Sequence, residues 1–141
     1  MALPVSCMRV DEYISSVNAT FIHIPKNGGT SIENALLQWP NSRHESARQF
    51  ATCSSFSSHP SFAVLREPVD RALSMYSYTL DDGGNGHTLR NHPWVGEVAD
   101  FDEFVARLAS RTLLEVLDDR EGNGCNDFYM PQREYVYAPA G

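Results

Sequence analysis

The stretch from residue 20 to residue 37 sets the strongest limit on what this chain can fold into. A β-branched and aromatic run, Thr20-Phe-Ile-His-Ile24, meets Pro25, then Lys26-Asn-Gly-Gly29, then Thr30-Ser-Ile-Glu-Asn-Ala-Leu-Leu37. This order predicts strand, tight glycine turn, helix. Thr30 or Ser31 is expected to supply the N-cap oxygen, Glu33 or Asn34 to lie in the first turn, and Ile32, Ala35 and Leu36 to form the apolar stripe. Trp39-Pro40 should stop the helix, because a residue before proline disfavours the helical region. The pattern then recurs. Ser61-Phe-Ala-Val-Leu65 is a second strand, ended by Arg66-Glu-Pro68, and Pro68 opens a helix whose buried side is marked by Val69, Ala72, Leu73 and Tyr76. Two such units predict an α/β fold with a parallel sheet.

At 141 residues, 42% hydrophobic and 21% charged, the chain is expected to be one soluble globular domain with a small core. No apolar run approaches the roughly 20 residues of a membrane-spanning helix, and Met1 to Met8 lacks the charged-then-apolar pattern of a secretory signal. Neither insertion nor export is expected. Cys7, Cys53 and Cys125 show no Cys-x-x-Cys spacing, so they are expected as free thiols rather than metal ligands or a disulfide framework. The triplet Asn18-Ala19-Thr20 is a sequon of the kind that also arises by chance.

The formal net charge of −7 argues against a nucleic-acid partner, which calls for a basic face. Residues 1–75 balance six basic against six acidic groups, whereas residues 76–141 hold five against twelve. The deficit lies entirely in the second half. Lys26 is the only lysine in the chain, and it falls inside the first turn.

Elsewhere the signals are weaker. Residues 41–60 are polar, and Ser54-Ser-Phe-Ser-Ser58 reads as a surface loop; Asp81-Asp-Gly-Gly-Asn-Gly86 reads as a mobile acidic connection. From Asp100, the spacing of Phe101, Phe104, Val105 and Leu108 describes an amphipathic helix, expected to resume through Leu113-Leu-Glu-Val-Leu117. Asp118 to Asn126 is a loop. The aromatic segment Phe128 to Tyr137 holds a short helix or strand, and an unstructured tail follows.

A strand running into Gly-Gly and a helix start aims backbone N–H groups and the positive end of the helix dipole at one point. Such a turn is an anion cradle. Lys26 adds a point charge, and Thr30 and Ser31 add hydroxyls. It is not a Walker A loop, because the lysine precedes both glycines instead of following the second. The plainer alternative is a turn that needs glycine for geometry alone. Arg66 at the end of the second strand, with Ser74 eight residues on, forms a second candidate cradle; in a parallel sheet both would face the same carboxyl edge, as suits a ligand with two separated phosphates. Arg66 could equally pair with Glu67 or Asp70.

Phe21-Ile-His-Ile-Pro-Lys-Asn-Gly-Gly-Thr-Ser-Ile-Glu33 resembles the 5′-phosphosulfate loop of the carbohydrate sulfotransferases that use PAPS, 3′-phosphoadenylyl sulfate. Phe62-Ala-Val-Leu-Arg-Glu-Pro-Val-Asp-Arg-Ala-Leu-Ser-Met-Tyr76 is similar to their 3′-phosphate motif. The resemblance is close over residues 20–80 and loose beyond. It implies a P-loop NTPase-like sulfotransferase fold in which residues 19–80 are the cofactor-binding core and 81–141 an acidic, partly helical remainder. It further implies that Lys26, Asn27, Gly28, Gly29, Thr30 and Ser31 hold the 5′-phosphosulfate and that Arg66 and Ser74 hold the 3′-phosphate. His44, in His44-Glu-Ser-Ala-Arg48, matches a histidine of the heparan sulfate and chondroitin enzymes and is the implied base; Met130-Pro-Gln-Arg-Glu-Tyr135 resembles their Pro-Gln segment. Asn27 replaces the commoner threonine. Relatives continue past this point with another strand and helices, so a reduced form or a fragment is the expectation.

Sulfuryl transfer needs an in-line acceptor oxygen, a base, and positive charge at the leaving oxygen. His44 suits the base and Lys26 the leaving group, and the scheme requires no metal. His23 reads as a packed sheet residue, His59 as an alternative base in a loop, and His87 and His92 as exposed. Phe128, Tyr129, Tyr135 and Tyr137 read as packing residues, with sugar stacking as the alternative. Arg43, Arg48 and Arg71 are the cations available to an acidic glycan, with ordinary surface or ion-pair roles as the plainer reading. An active transferase releasing PAP, a PAPS- or PAP-binding module without activity, and another P-loop-like nucleotide binder such as a kinase remain the readings; lysine placement disfavours the last. A Golgi-lumenal enzyme, if the chain is a piece of an anchored protein, and a soluble cytoplasmic one are the alternatives for location.

Overall fold

The computed structural model describes residues 5–37, 44–81, 86–110 and 128–137. The expected stop at Trp39-Pro40, Arg43, most of the acidic glycine connection, the helix through 113–117, the loop 118–126 with Cys125, and the tail lie outside the described residues. The chain divides into two compact units, residues 1–65 with 131–141, and residues 66–130. Their boundary falls within the span 19–80.

The first unit opens with a helix that no apolar run announces, α1 (Val5–Val17). Cys7, Val10 and Tyr13 recur on one face and are buried, yet Arg9 is buried beside them. A charge in the stripe hides the period. The strands β1 (Thr20–Ile22) and β2 (Ser61–Ala63) pair in parallel, Thr20 against Ser61, Phe21 against Phe62 and Ile22 against Ala63. Fold class α/β therefore holds at the coarse level, with a small two-stranded parallel sheet among the described residues. Both strands are shorter than the sequence pattern, and at Val64 the reason is visible: its carbonyl accepts the Asn27 side-chain amide at 2.7 Å. Phe21, Tyr13 and Leu37 form a core cluster, with Ile32 and Leu36 packed against it.

Helix α2 (Gly29–Leu36) begins earlier than expected, and its N-cap is Gly28 with no side-chain cap; neither Thr30 nor Ser31 plays that part. Its buried residues are Gly29 and Glu33, whereas Ile32 and Leu36 are half-buried and Ala35 is exposed. The polar segment after it is not all loop. Ser46 and Gln49 cap each other at the start of α3 (Ala47–Phe50), a reciprocal pair that satisfies two orphan donors at once. Cys7 and Cys53 are joined by a disulfide, which overturns the expectation of free thiols for these two. Motif spacing could not reveal a partner 46 residues away.

In the second unit, α4 (Pro68–Asp81) starts at the expected proline. Its buried residues are Arg71, Ala72, Met75 and Thr79, while Val69 and Leu73 are 61% and 47% exposed, against the predicted stripe. Polar bonds turn the helix. The Arg71 guanidinium donates to the carbonyls of Met130 and Phe128 at 3.1 and 3.2 Å, and the Thr79 hydroxyl bonds the Met75 carbonyl and the Tyr129 hydroxyl. Helix α5 (His87–Asn91) and a 3₁₀ turn (Pro93–Glu97) precede α6 (Phe101–Ser110), the predicted amphipathic helix. Phe104 of α6 is fully buried, with Trp94 stacked on it at 5.5 Å and Tyr129 against its edge at 6.0 Å, although Val105 is 39% exposed. The final aromatic segment settles as a helix, α7 (Gln132–Val136), which belongs to the first unit. Phe128, Tyr129 and Tyr135 are buried as packing residues, but Tyr137 is 58% exposed. Among the described residues no helix is long and apolar enough to cross a membrane.

Candidate functional site

The turn between β1 and α2 is built by two residues in left-handed conformation. Lys26 has φ 66°, and Gly28 has φ 77° with open space around the position of an added Cβ. The Gly28 carbonyl accepts from Ser31 and Ile32 N–H at 3.1 and 3.3 Å, so the amides ahead of Ser31 belong to the helix start, where no intrahelical carbonyl serves them. Lys26 is half-buried, and the Thr30 and Ser31 side chains are exposed. Asn27 is buried, and its carboxamide donates to the Val64 carbonyl and to Gln132 Oε1, both at 2.7 Å. Its side chain thus pins the turn to the end of β2 and to the Pro-Gln segment, and what it offers a ligand is its backbone.

Gly29 has a reason of its own to be glycine. A Cβ there would fall 2.0 Å from Cδ2 of the His23 ring. His23 is 4% exposed, so the packed role expected for it holds, but its surroundings are charged. Its Nδ1 lies 3.2 Å from Glu33 Oε1, within ion-pair reach though not aligned as a hydrogen bond. The same oxygen accepts from Arg9 Nη2 at 2.5 Å and from the Tyr13 hydroxyl at 2.9 Å, and Glu33 is fully buried. Glu45 Oε2 stands 4.0 Å from Arg9 Nε. Burial by itself would raise the Glu33 carboxyl; contact with His23, the charge of Arg9 and the Tyr13 bond outweigh it and hold the group below the ordinary glutamate value. The Tyr13 phenol is driven well above its ordinary value by burial first and by the Glu33 charge second.

His44 meets this cluster directly. Its ring stands edge-to-face with that of His23, centroids 4.6 Å apart. The first unit thereby brings together the turn, His23, Glu33 and the candidate base. Glu33, Arg9 and Tyr13 were not identified as site residues from the sequence. A signal existed for the first, since Gly29 and Glu33 are four apart and share one helix face.

The other candidates each have surroundings of their own. His59 is half-buried in the serine segment, its Nδ1 3.0 Å from the Ser55 carbonyl and 3.1 Å from Ser58 Oγ. In the second unit Arg66 is exposed just ahead of α4, and Ser74 is half-buried on that helix. Arg71 cannot serve an acceptor from where it is, because it is 4% exposed and bound to two carbonyls; Arg48 is exposed on α3. His92 is buried against Tyr129, ring centroids 4.7 Å apart, contrary to the exposed position expected for it. The His87 side chain lies outside the described residues. Comparison with known protein families, with curated proteins and with solved structures finds no match.

Proposed function

We propose that the chain binds PAPS and transfers its sulfuryl group to a hydroxyl of a carbohydrate acceptor, within a sulfotransferase variant of the P-loop-like fold. The observation that carries the reading is the β1–α2 turn: the only lysine and two exposed hydroxyls stand at a helix start, with His44 reached through the ring packed beneath that turn. The donor set there, amides, hydroxyls and one ammonium, suits the oxygens of a phosphosulfate. The nucleotide would supply the sulfuryl group. His44 takes the acceptor proton as the new oxygen–sulfur bond forms, and Lys26 with the turn amides stabilises the charge left on the phosphate oxygen when the old bond breaks. Arg66 and Ser74 enter as 3′-phosphate ligands through the sequence resemblance alone. The Cys7–Cys53 bond supports an oxidising, lumenal compartment over the cytosol, where thiols stay reduced.

Calorimetric titration of the whole chain with PAP tests the binding, and transfer of labelled sulfate from PAPS to desulfated glycosaminoglycan oligosaccharides tests the chemistry. Lys26→Ala should lower the transfer rate about 10²–10³-fold. His44→Ala should abolish transfer and keep PAP affinity. Arg66→Ala should weaken PAP but leave adenosine 5′-phosphosulfate, which lacks the 3′-phosphate, unaffected. Absence of PAP binding would end the proposal. Binding without transfer would reduce the chain to a nucleotide-binding module.

A further inference from the structure

We infer that Glu33 and His23 are a positioning pair for His44, which rests on the reading of His44 as the base. Three contacts carry this. His23 has one face of its surroundings filled by the Gly29 backbone, so close that no Cβ fits. Its Nδ1 is drawn to a fully buried carboxylate oxygen that Arg9 and Tyr13 also hold. Its ring meets His44 at an interplanar angle of 81°. A ring fixed on two sides offers a rigid surface to the third neighbour, and a carboxylate at Nδ1 favours the tautomer with its proton on that nitrogen. His23 cannot itself be the base in this arrangement, because it is 4% exposed and packed under the turn. Its effect passes through His44. Among the described residues, the ionisable groups joined to Glu33 directly or through Arg9, from α1, α2 and the segment leading into α3, are Arg9, Tyr13, His23 and Glu45.

The test compares His23→Phe and Glu33→Gln with the unmodified chain and with His44→Ala. His23→Phe keeps a ring under the turn and removes the carboxylate contact; Glu33→Gln keeps the shape and removes the charge. Near-UV circular dichroism checks that each folds, and should Glu33→Gln fail to fold, His23→Phe carries the test. Both variants should lower kcat for transfer by up to about 100-fold, the scale of a catalytic group misplaced by about 1 Å. KM for PAPS and the Kd of PAP should stay within about twofold, since uniform binding is untouched. In nuclear magnetic resonance of the free chain, the His44 titration midpoint should move in both variants, whereas a purely scaffolding role would leave it in place; the ring shifts themselves change with any replacement of the facing His23 ring and decide nothing. Unchanged kcat beside an inactive His44→Ala would overturn the pairing and leave the transferase reading intact. If the unmodified chain neither binds PAP nor transfers sulfate, that reading fails. The pairing, as a positioning device for that base, falls with it, and transfer by the unmodified chain tells the two failures apart.

Discussion

Removing the bond between Cys7 and Cys53 should cost the chain about 4 kcal/mol. The two residues are 46 apart in sequence. Loop closure across that length removes about 13.5 cal/mol/K from the unfolded ensemble, which is about 4 kcal/mol at 25 °C. Unfolding entropy runs at about 2.1 cal/mol/K per residue, so for 141 residues the same loss lowers the melting midpoint by about 13 °C. Both sulfurs are buried, which makes alanine the better replacement than serine: it leaves a small gap but no hydroxyl without a partner. Scanning calorimetry of the oxidised chain against the Cys7→Ala/Cys53→Ala double variant, in one buffer, measures the difference. The double variant is preferable to a reductant because it leaves no freed thiol pair to re-oxidise during the scan. A shift under about 3 °C would refute the loop-entropy reasoning and mean that α1 is held to the α3 segment by packing alone.

Gly28→Ala should cost about 1–2 kcal/mol, the strain of a left-handed alanine in open space, whereas Gly29→Ala must displace the His23 ring and should cost about 1–3 kcal/mol more. Equal urea midpoints for the two would contradict the contact described at Gly29. Glu33 titrates below its ordinary 4.5 in the folded chain, so its stabilising effect is complete above about pH 4.5 and is lost as pH falls through the folded value. Glu33→Gln should therefore flatten the acid limb of a stability–pH curve, and an unaltered slope there would count against the charge cluster. Arg71→Met leaves the Phe128 and Met130 carbonyls without their donor, at about 1–3 kcal/mol each, while Arg48→Met at an exposed site should change the unfolding free energy by less than about 0.5 kcal/mol.

The two parallel strands, the turn after β1 and the start of α4 at Pro68 could all be read directly, because each rests on local chemistry: β-branched runs, glycine at a left-handed position, proline at a helix start. What failed had a common cause. Hydrophobic periodicity assigns buried faces by apolar residues, and here three faces are buried through polar ones: Arg9 on α1, Glu33 on α2, and Arg71 with Thr79 on α4. Each is held inside by a partner 20 or more residues distant, or by a carbonyl that no sequence pattern announces. Thr30 and Ser31 were the natural capping candidates by composition, yet the helix begins ahead of them because Gly28 can take the left-handed turn that places its carbonyl at the helix start. The disulfide belongs with these cases, as a long-range pairing between residues whose local surroundings say nothing of each other.

On the proposed function, a buried carboxylate one turn along α2 from the helix start would work against anion binding there if left alone. Its charge would oppose an incoming phosphosulfate, and a buried charge is screened less than an exposed one. Arg9 pairs with Glu33 inside the unit, so that on the proposed function the ammonium of Lys26 and the dipole of α2 would meet the ligand with the Glu33 charge offset. The contact makes the buried glutamate tolerable to the fold, and on the proposed function it would also preserve positive potential at the turn. Replacing the pair together by apolar residues of similar volume should keep stability, while on the inference above His23 would lose the oxygen that orients it. On the proposed function, stability and activity would separate at that one carboxylate, which is where a sequence pattern tuned to apolar periodicity is least able to see either.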